Sequence, residues 1–72
     1  MFSLGDKVVI DRESESWKET EKESYSWTES LKESGPLIIS EIKQSRIDKD
    51  VSIISFSNSI YVAEDRWLKK VK

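Results

Sequence analysis

Paired carboxylates recur along this chain, at Glu13/Glu15, Glu19/Glu21/Glu23 and Asp48/Asp50. Two carboxyls held at different pKa values are a minimal apparatus for acid–base hydrolysis. Each of these groups falls in a polar connection rather than inside an apolar run, so it reads as solvated loop charge. The chain has no histidine and no cysteine. That removes the commonest general acid–base, the thiol nucleophile and the usual transition-metal ligands together. Serine is abundant, but without an adjacent base it is a poor nucleophile. No lysine is placed in an apolar pocket where it could act as that base. The Asp-x-Asp-x-Asp-Gly spacing of a calcium loop is absent. Gly5 and Gly35, the two glycines, lie too far apart to build a phosphate cradle. The sequence therefore predicts no enzyme, no metal and no cofactor.

Aromatic side chains are the remaining candidates. Trp17, Tyr25 and Trp27 sit in the charged stretch ESESWKETEKESYSWTESLKESG, residues 13–35, while Tyr61 and Trp67 lie near the C-terminus. Indoles and phenols anchor protein interfaces well, and charged neighbours keep them in water until a partner arrives. Trp17, which has no packing partner nearby in sequence, is the leading contact residue. Trp67 is also suited to plugging one end of a small core, and Phe56 reads as core.

Charge is spread unevenly. Residues 11–33 hold eight acids and four bases, a net of −4, within a chain of net charge −2. The bases Arg46, Lys49, Arg66, Lys69 and Lys70 fall in the C-terminal half. Two partner classes follow. The first reading is a non-catalytic protein-interaction module (an adaptor, inhibitor or small assembly subunit) steered by its acidic stretch toward a basic surface. The alternative is a nucleic-acid accessory protein that stacks bases on its aromatics and contacts phosphates through those five bases. The acidic stretch opposes the alternative. A methyl-lysine cage would need aromatics on strand ends, where only Phe56 and Tyr61 qualify.

These side chains need a scaffold. Residues 6–10, DKVVI, read as a strand with Val8 and Ile10 on one face. Residues 36–43, PLIISEIK, follow the Gly35-Pro36 breaker and form a second strand. Within it Ile39 and Ile42 can share a face only through a bulge. Residues 50–56 form a third strand, Ser57-Asn58-Ser59 a hairpin turn, and residues 60–63, IYVA, a returning strand. Ala63 to Trp67 suits one turn of 3₁₀ helix, with Leu68 and Val71 in a last strand. From Trp17, the positions three and four residues on are Thr20 and Glu21, so no apolar stripe supports a long helix. Asp11 to Glu23 therefore reads as a mobile loop. Tyr25 to Leu31 is its anchored return, with a one-turn helix capped by Ser26 and Glu29 and with Trp27 and Leu31 on one face. Five short strands in 72 residues point to a small closed barrel.

Size and composition bound the rest. The length admits a single domain, residues 1–72, of modest stability. The lack of cysteine favours the cytoplasm over a disulfide-stapled secreted form. The N-terminus shows no signal peptide, and no apolar run is long enough for a bilayer. A monomer or weak oligomer is expected.

The order GDKVVI, tryptophan-bearing loop, GPLIISEI, VSIISF, SIYV, AEDRWLKKV resembles the SH3-like small-barrel superfamily, most nearly its very short phage and bacterial members. Trp27, Ser30, Leu31 and Gly35 are similar to the "W…SM…G" stretch found there. The segment Ala63-Glu64-Asp65-Arg66-Trp67-Leu68 is similar to the "AEDEL" turn before the last strand of photosystem I accessory barrel subunits. The resemblance implies a mainly β fold: a five-stranded SH3-like barrel with a long first loop, residues 11–34, and a single 3₁₀ turn before the last strand. It also implies that the first loop and the 3₁₀ turn border the contact groove, grouping Trp17, Tyr25, Trp27, Tyr61 and Trp67. The ALYDY-type motif is missing, so proline-rich peptide binding is not implied. Ile38-Ile39 stands where nucleic-acid-binding KOW relatives carry a glycine.

Overall fold

The computed structural model of the chain describes residues 2–23 and 25–71. Five strands form one antiparallel sheet: β1 Lys7–Ile10, β2 Leu37–Gln44, β3 Ser52–Phe56, β4 Val62–Glu64 and β5 Leu68–Lys70. Two helices, α1 Glu15–Glu21 and α2 Ser26–Glu33, lie between β1 and β2, and a 3₁₀ turn, Asp65–Trp67, joins β4 to β5. The strand order is β4-β3-β2-β1-β5. Its two edges, β4 and β5, do not pair with each other among the described residues, so the expected barrel closure is not seen in the hydrogen bonding.

Entry into β1 depends on Gly5, whose φ of 87° lies in the region that favours glycine. Its N–H donates to the Ile39 carbonyl at 2.8 Å, tying the turn to β2. Val8 and Ile10 then point inward, as their alternation predicts. In β2, register shifts between Ile39 and Glu41. This is the expected bulge: Ile39 pairs with Phe56 and Ile42 with Ile54, so both isoleucines oppose residues on one face of β3. Asn58 fastens the β3–β4 connection to β2. Its Oδ1 accepts from the Ile38 N–H and its Nδ2 donates to the Pro36 carbonyl, each at 3.0 Å.

The first connection departs from the mobile loop read from sequence. Residues 15–21 and 26–33 are helical, and Trp17 is fully buried. Helix α1 lacks an apolar stripe because it needs only one buried side chain. Its N-cap, Ser14, accepts from the Trp17 N–H at 3.3 Å and donates to the Arg66 carbonyl at 2.7 Å. The Asp11 N–H donates to the Trp67 carbonyl at 2.7 Å. Tertiary docking onto the 3₁₀ turn thus supplies what local periodicity does not. Helix α2 is longer than one turn, and Tyr25, not Ser26, is its N-cap, with no side-chain cap bond. Trp27 and Leu31 do share the packed side, joined by Thr28, whose Oγ1 donates to the Tyr25 carbonyl at 2.6 Å. The fourth strand also starts later than expected, leaving Ile60 and Tyr61 outside it.

The core combines Val8, Ile10, Leu37, Ile39, Ile54, Phe56, Ala63 and Leu68 from the sheet with Trp17, Leu31 and Trp67 from the helices and the 3₁₀ turn. No helix among the described residues is long and apolar enough to cross a membrane.

Candidate functional site

Four of the aromatics form a ladder running from surface to core. Tyr25 stacks on Trp27 with centroids 5.5 Å apart and planes 12° apart. Trp27 stacks on Trp67 at 5.8 Å and 22°. Trp67 meets Trp17 edge-to-face at 5.5 Å and 66°. Such geometries suit the ring quadrupole and add to the burial energy. Tyr25 is half exposed and Trp27 partly buried, while Trp67 and Trp17 are buried. Neither buried indole N–H finds a hydrogen-bond partner among the described residues, and packing holds these two rings.

Trp27 and Trp67 line an open groove of about 400 Å³ together with Ile60, Tyr61, Val62 and Glu64. Its floor is mainly apolar. Ile60 is 92% exposed and Val62 is 51% exposed, whereas Ala63 between Tyr61 and Glu64 is buried. Glu64 forms an ion pair with Arg66. The expected grouping of Trp17, Tyr25, Trp27, Tyr61 and Trp67 is therefore present in part. Trp27, Tyr61 and Trp67 line the groove, Tyr25 extends it by stacking, and Trp17 supports Trp67 from behind. Trp17 itself offers no surface to a partner, which corrects its assignment as the leading contact residue.

Ile60 and Val62, placed on the returning strand but not named as contact residues from sequence, are exposed beside the groove. The signal was available: in Ile60-Tyr61-Val62-Ala63, period-2 alternation puts Tyr61 and Ala63 on one side and Ile60 and Val62 on the other.

The basic candidates do not converge. Arg46 and Lys49 sit on the exposed β2–β3 hairpin, Arg66 on the 3₁₀ turn, and Lys69 and Lys70 on β5. Arg66 is held by Glu64, and Lys70 reaches Asp6 at 3.5 Å. Lys69 borders a second cleft in which Arg12 and Lys32 alternate with Glu13 and Glu33. Beside Lys70, the Asp6 carboxyl is held below the usual aspartate range, chiefly by a hydrogen bond from the Ser3 N–H and then by the Lys70 charge. Among the described residues no cluster of three or more histidine, cysteine, aspartate or glutamate side chains is arranged to hold a metal ion.

Comparison with protein-family models, curated proteins and solved structures gives no match.

Proposed function

We propose that this chain is a non-catalytic protein-interaction module that docks through the groove around Trp27, Tyr61 and Trp67. One observation carries the reading. The exposed aromatic and branched side chains Tyr25, Ile60 and Val62 gather beside a single apolar groove in an otherwise highly charged chain. Contiguous apolar surface with a polar surround marks binding sites on small domains. The rigid ladder behind the groove lowers the ordering cost of docking, because Trp27 and Trp67 are already held. The partner's surface is basic, complementing the net −4 of residues 11–33. Placement in the SH3-like small-barrel group is supported by the strand order, in which β5 returns beside β1, and by the 3₁₀ turn that precedes it. The lack of cysteine suits work in the cytoplasm.

The test is capture of partners from the native host by wild type and by the double variant Tyr25→Ala/Ile60→Asp. Both side chains are exposed, so the variant should keep the wild-type far-ultraviolet circular dichroism and cooperative urea unfolding. Proteins retained by wild type alone support docking at the groove. Identical retention by the two forms rejects it.

A further inference from the structure

We infer that β4 is an acceptor edge: an extended segment of a basic partner protein adds to Val62–Glu64 as a further strand and lies in the groove against Trp27 and Trp67. This rests on the docking reading and specifies what docks.

The two edges of the sheet are unlike. On β5, Lys69 and Lys70 are exposed. Lysines along an edge discourage another strand from pairing there, because pairing would crowd and desolvate their charges. The β4 edge carries no basic residue; Ile60 and Val62 are its exposed side chains. All three residues of β4 line the groove, as do Ile60 and Tyr61 before it. A five-residue extended segment is about 16 Å long, and one paired with β4 would therefore run along the groove. Its alternate side chains would meet the apolar lining, while its backbone would satisfy the groups that β4 leaves free on its outer side. That combination of main-chain pairing and alternate pockets selects an extended ligand over a helix.

Charge decides between a different protein and a second copy. Trp27, on one side of the groove, belongs to the stretch of net charge −4, whereas Glu64 in the groove lining is already paired with Arg66. A second copy would bring two such stretches together and set like charges near one another. A segment with lysine or arginine flanking its apolar positions meets complementary charge instead.

Short random peptides displayed on phage, selected on the immobilised wild-type chain, provide the probe. The enriched peptides are then synthesised and titrated into isotope-labelled protein. The expected sequences alternate apolar residues and carry lysine or arginine at the flanks. On binding, amides within Val62–Glu64 gain protection from hydrogen exchange, with cross-strand contacts to the peptide. Val62→Lys, which gives β4 the guard that β5 has, weakens binding at least about tenfold. The half-exposed position lets this variant fold. The inference is overturned if no peptide is enriched, if the selected peptides are acidic, or if they bind without new protection of Val62–Glu64. Concentration-dependent pairing of the chain with itself through β4 in sedimentation also overturns it. Peptides that lose affinity with Tyr25→Ala/Ile60→Asp but not with Val62→Lys leave the docking site standing and reject strand addition. Indifference to both variants rejects both readings.

Discussion

Trp17 and Trp67 meet edge-to-face, with ring centroids 5.5 Å apart, and this contact joins helix α1 to the 3₁₀ turn from the far end of the sequence. It makes the charged first connection part of the core. It also fixes the indole that supports the groove, since Trp67 carries Trp27 on its other side.

Replacing Trp17 by alanine should cost about 3–5 kcal/mol, the usual loss for a buried large aromatic. A chain this short has roughly 4–11 kcal/mol in total at ordinary stability per residue, so the loss takes a large share of that stability and should lower the urea midpoint sharply. Trp17→Phe should cost far less. The buried indole N–H has no protein partner, so phenylalanine forfeits volume and no hydrogen bond. Urea titrations followed by far-ultraviolet circular dichroism compare the two. Equal stability of the alanine variant and wild type would return Trp17 to the surface.

Ser14 ties the same two elements through one hydroxyl, accepting from the Trp17 N–H and donating to the Arg66 carbonyl. Ser14→Ala should lose about 1–2 kcal/mol, because it removes a helix cap and leaves a carbonyl without its donor. Aspartate is ordinarily as good a cap as serine. Here it should not restore stability, because an ionised carboxylate cannot donate to Arg66 and would face its carbonyl oxygen. Threonine keeps both bonds and should rescue. Thermal melts of the three variants show the ranking, and an aspartate variant as stable as wild type would rule out a donor role.

The ease of reading differed between strands and helices for a physical reason. Strand identity is written locally: the Val8/Ile10 alternation, the Gly35-Pro36 breaker and the out-of-phase Ile39 and Ile42 are enough to place β1, the start of β2 and its bulge. Helix α1 is not written locally. Its single apolar anchor gives no periodicity, and what stabilises it are Trp67 and Arg66, half the chain away. The groove inherits the same division. Trp27, Tyr61 and Trp67 were legible from their types and from the elements expected to carry them. The burial of Trp17 followed from a contact that no window of sequence contains. Ile60 and Val62 were placed on the returning strand without being named as contact residues, although alternation sets them on the side opposite Ala63.

Stability should respond to acid through Asp6. Its folded-state pKa lies below the ordinary value because the Ser3 N–H and then Lys70 favour the carboxylate. A carboxyl depressed in the folded state contributes stability that is complete above its unfolded pKa. That contribution is lost as pH falls through the folded value, here below about pH 4. Urea midpoints measured across that range should fall more steeply for wild type than for Asp6→Asn. Lys70→Ala should keep most of the wild-type slope, since the larger Ser3 bond remains. A steeper acid limb in Asp6→Asn would contradict the assignment.

Nucleic acid should bind this chain weakly and without dependence on the groove. Of the five candidate bases, Arg66 is committed to Glu64 and Lys70 lies close to Asp6, which leaves Arg46, Lys49 and Lys69 on two separate elements. Even if all three reached phosphates at once, the slope of log affinity against log salt would be only about −2 for a single strand. Fluorescence anisotropy with a labelled single-stranded oligonucleotide, read from low to moderate salt, measures that slope directly. Arg66→Ala/Lys69→Ala should change the weak affinity only slightly, because one of its two charges is already satisfied within the protein. Tight binding with a much steeper slope, abolished by this double variant, would instead require Arg66 to leave Glu64 for a phosphate. Since Glu64 lines the groove, the aromatics would then serve as base-stacking platforms, and the accessory role in nucleic-acid binding would displace protein docking as the better account.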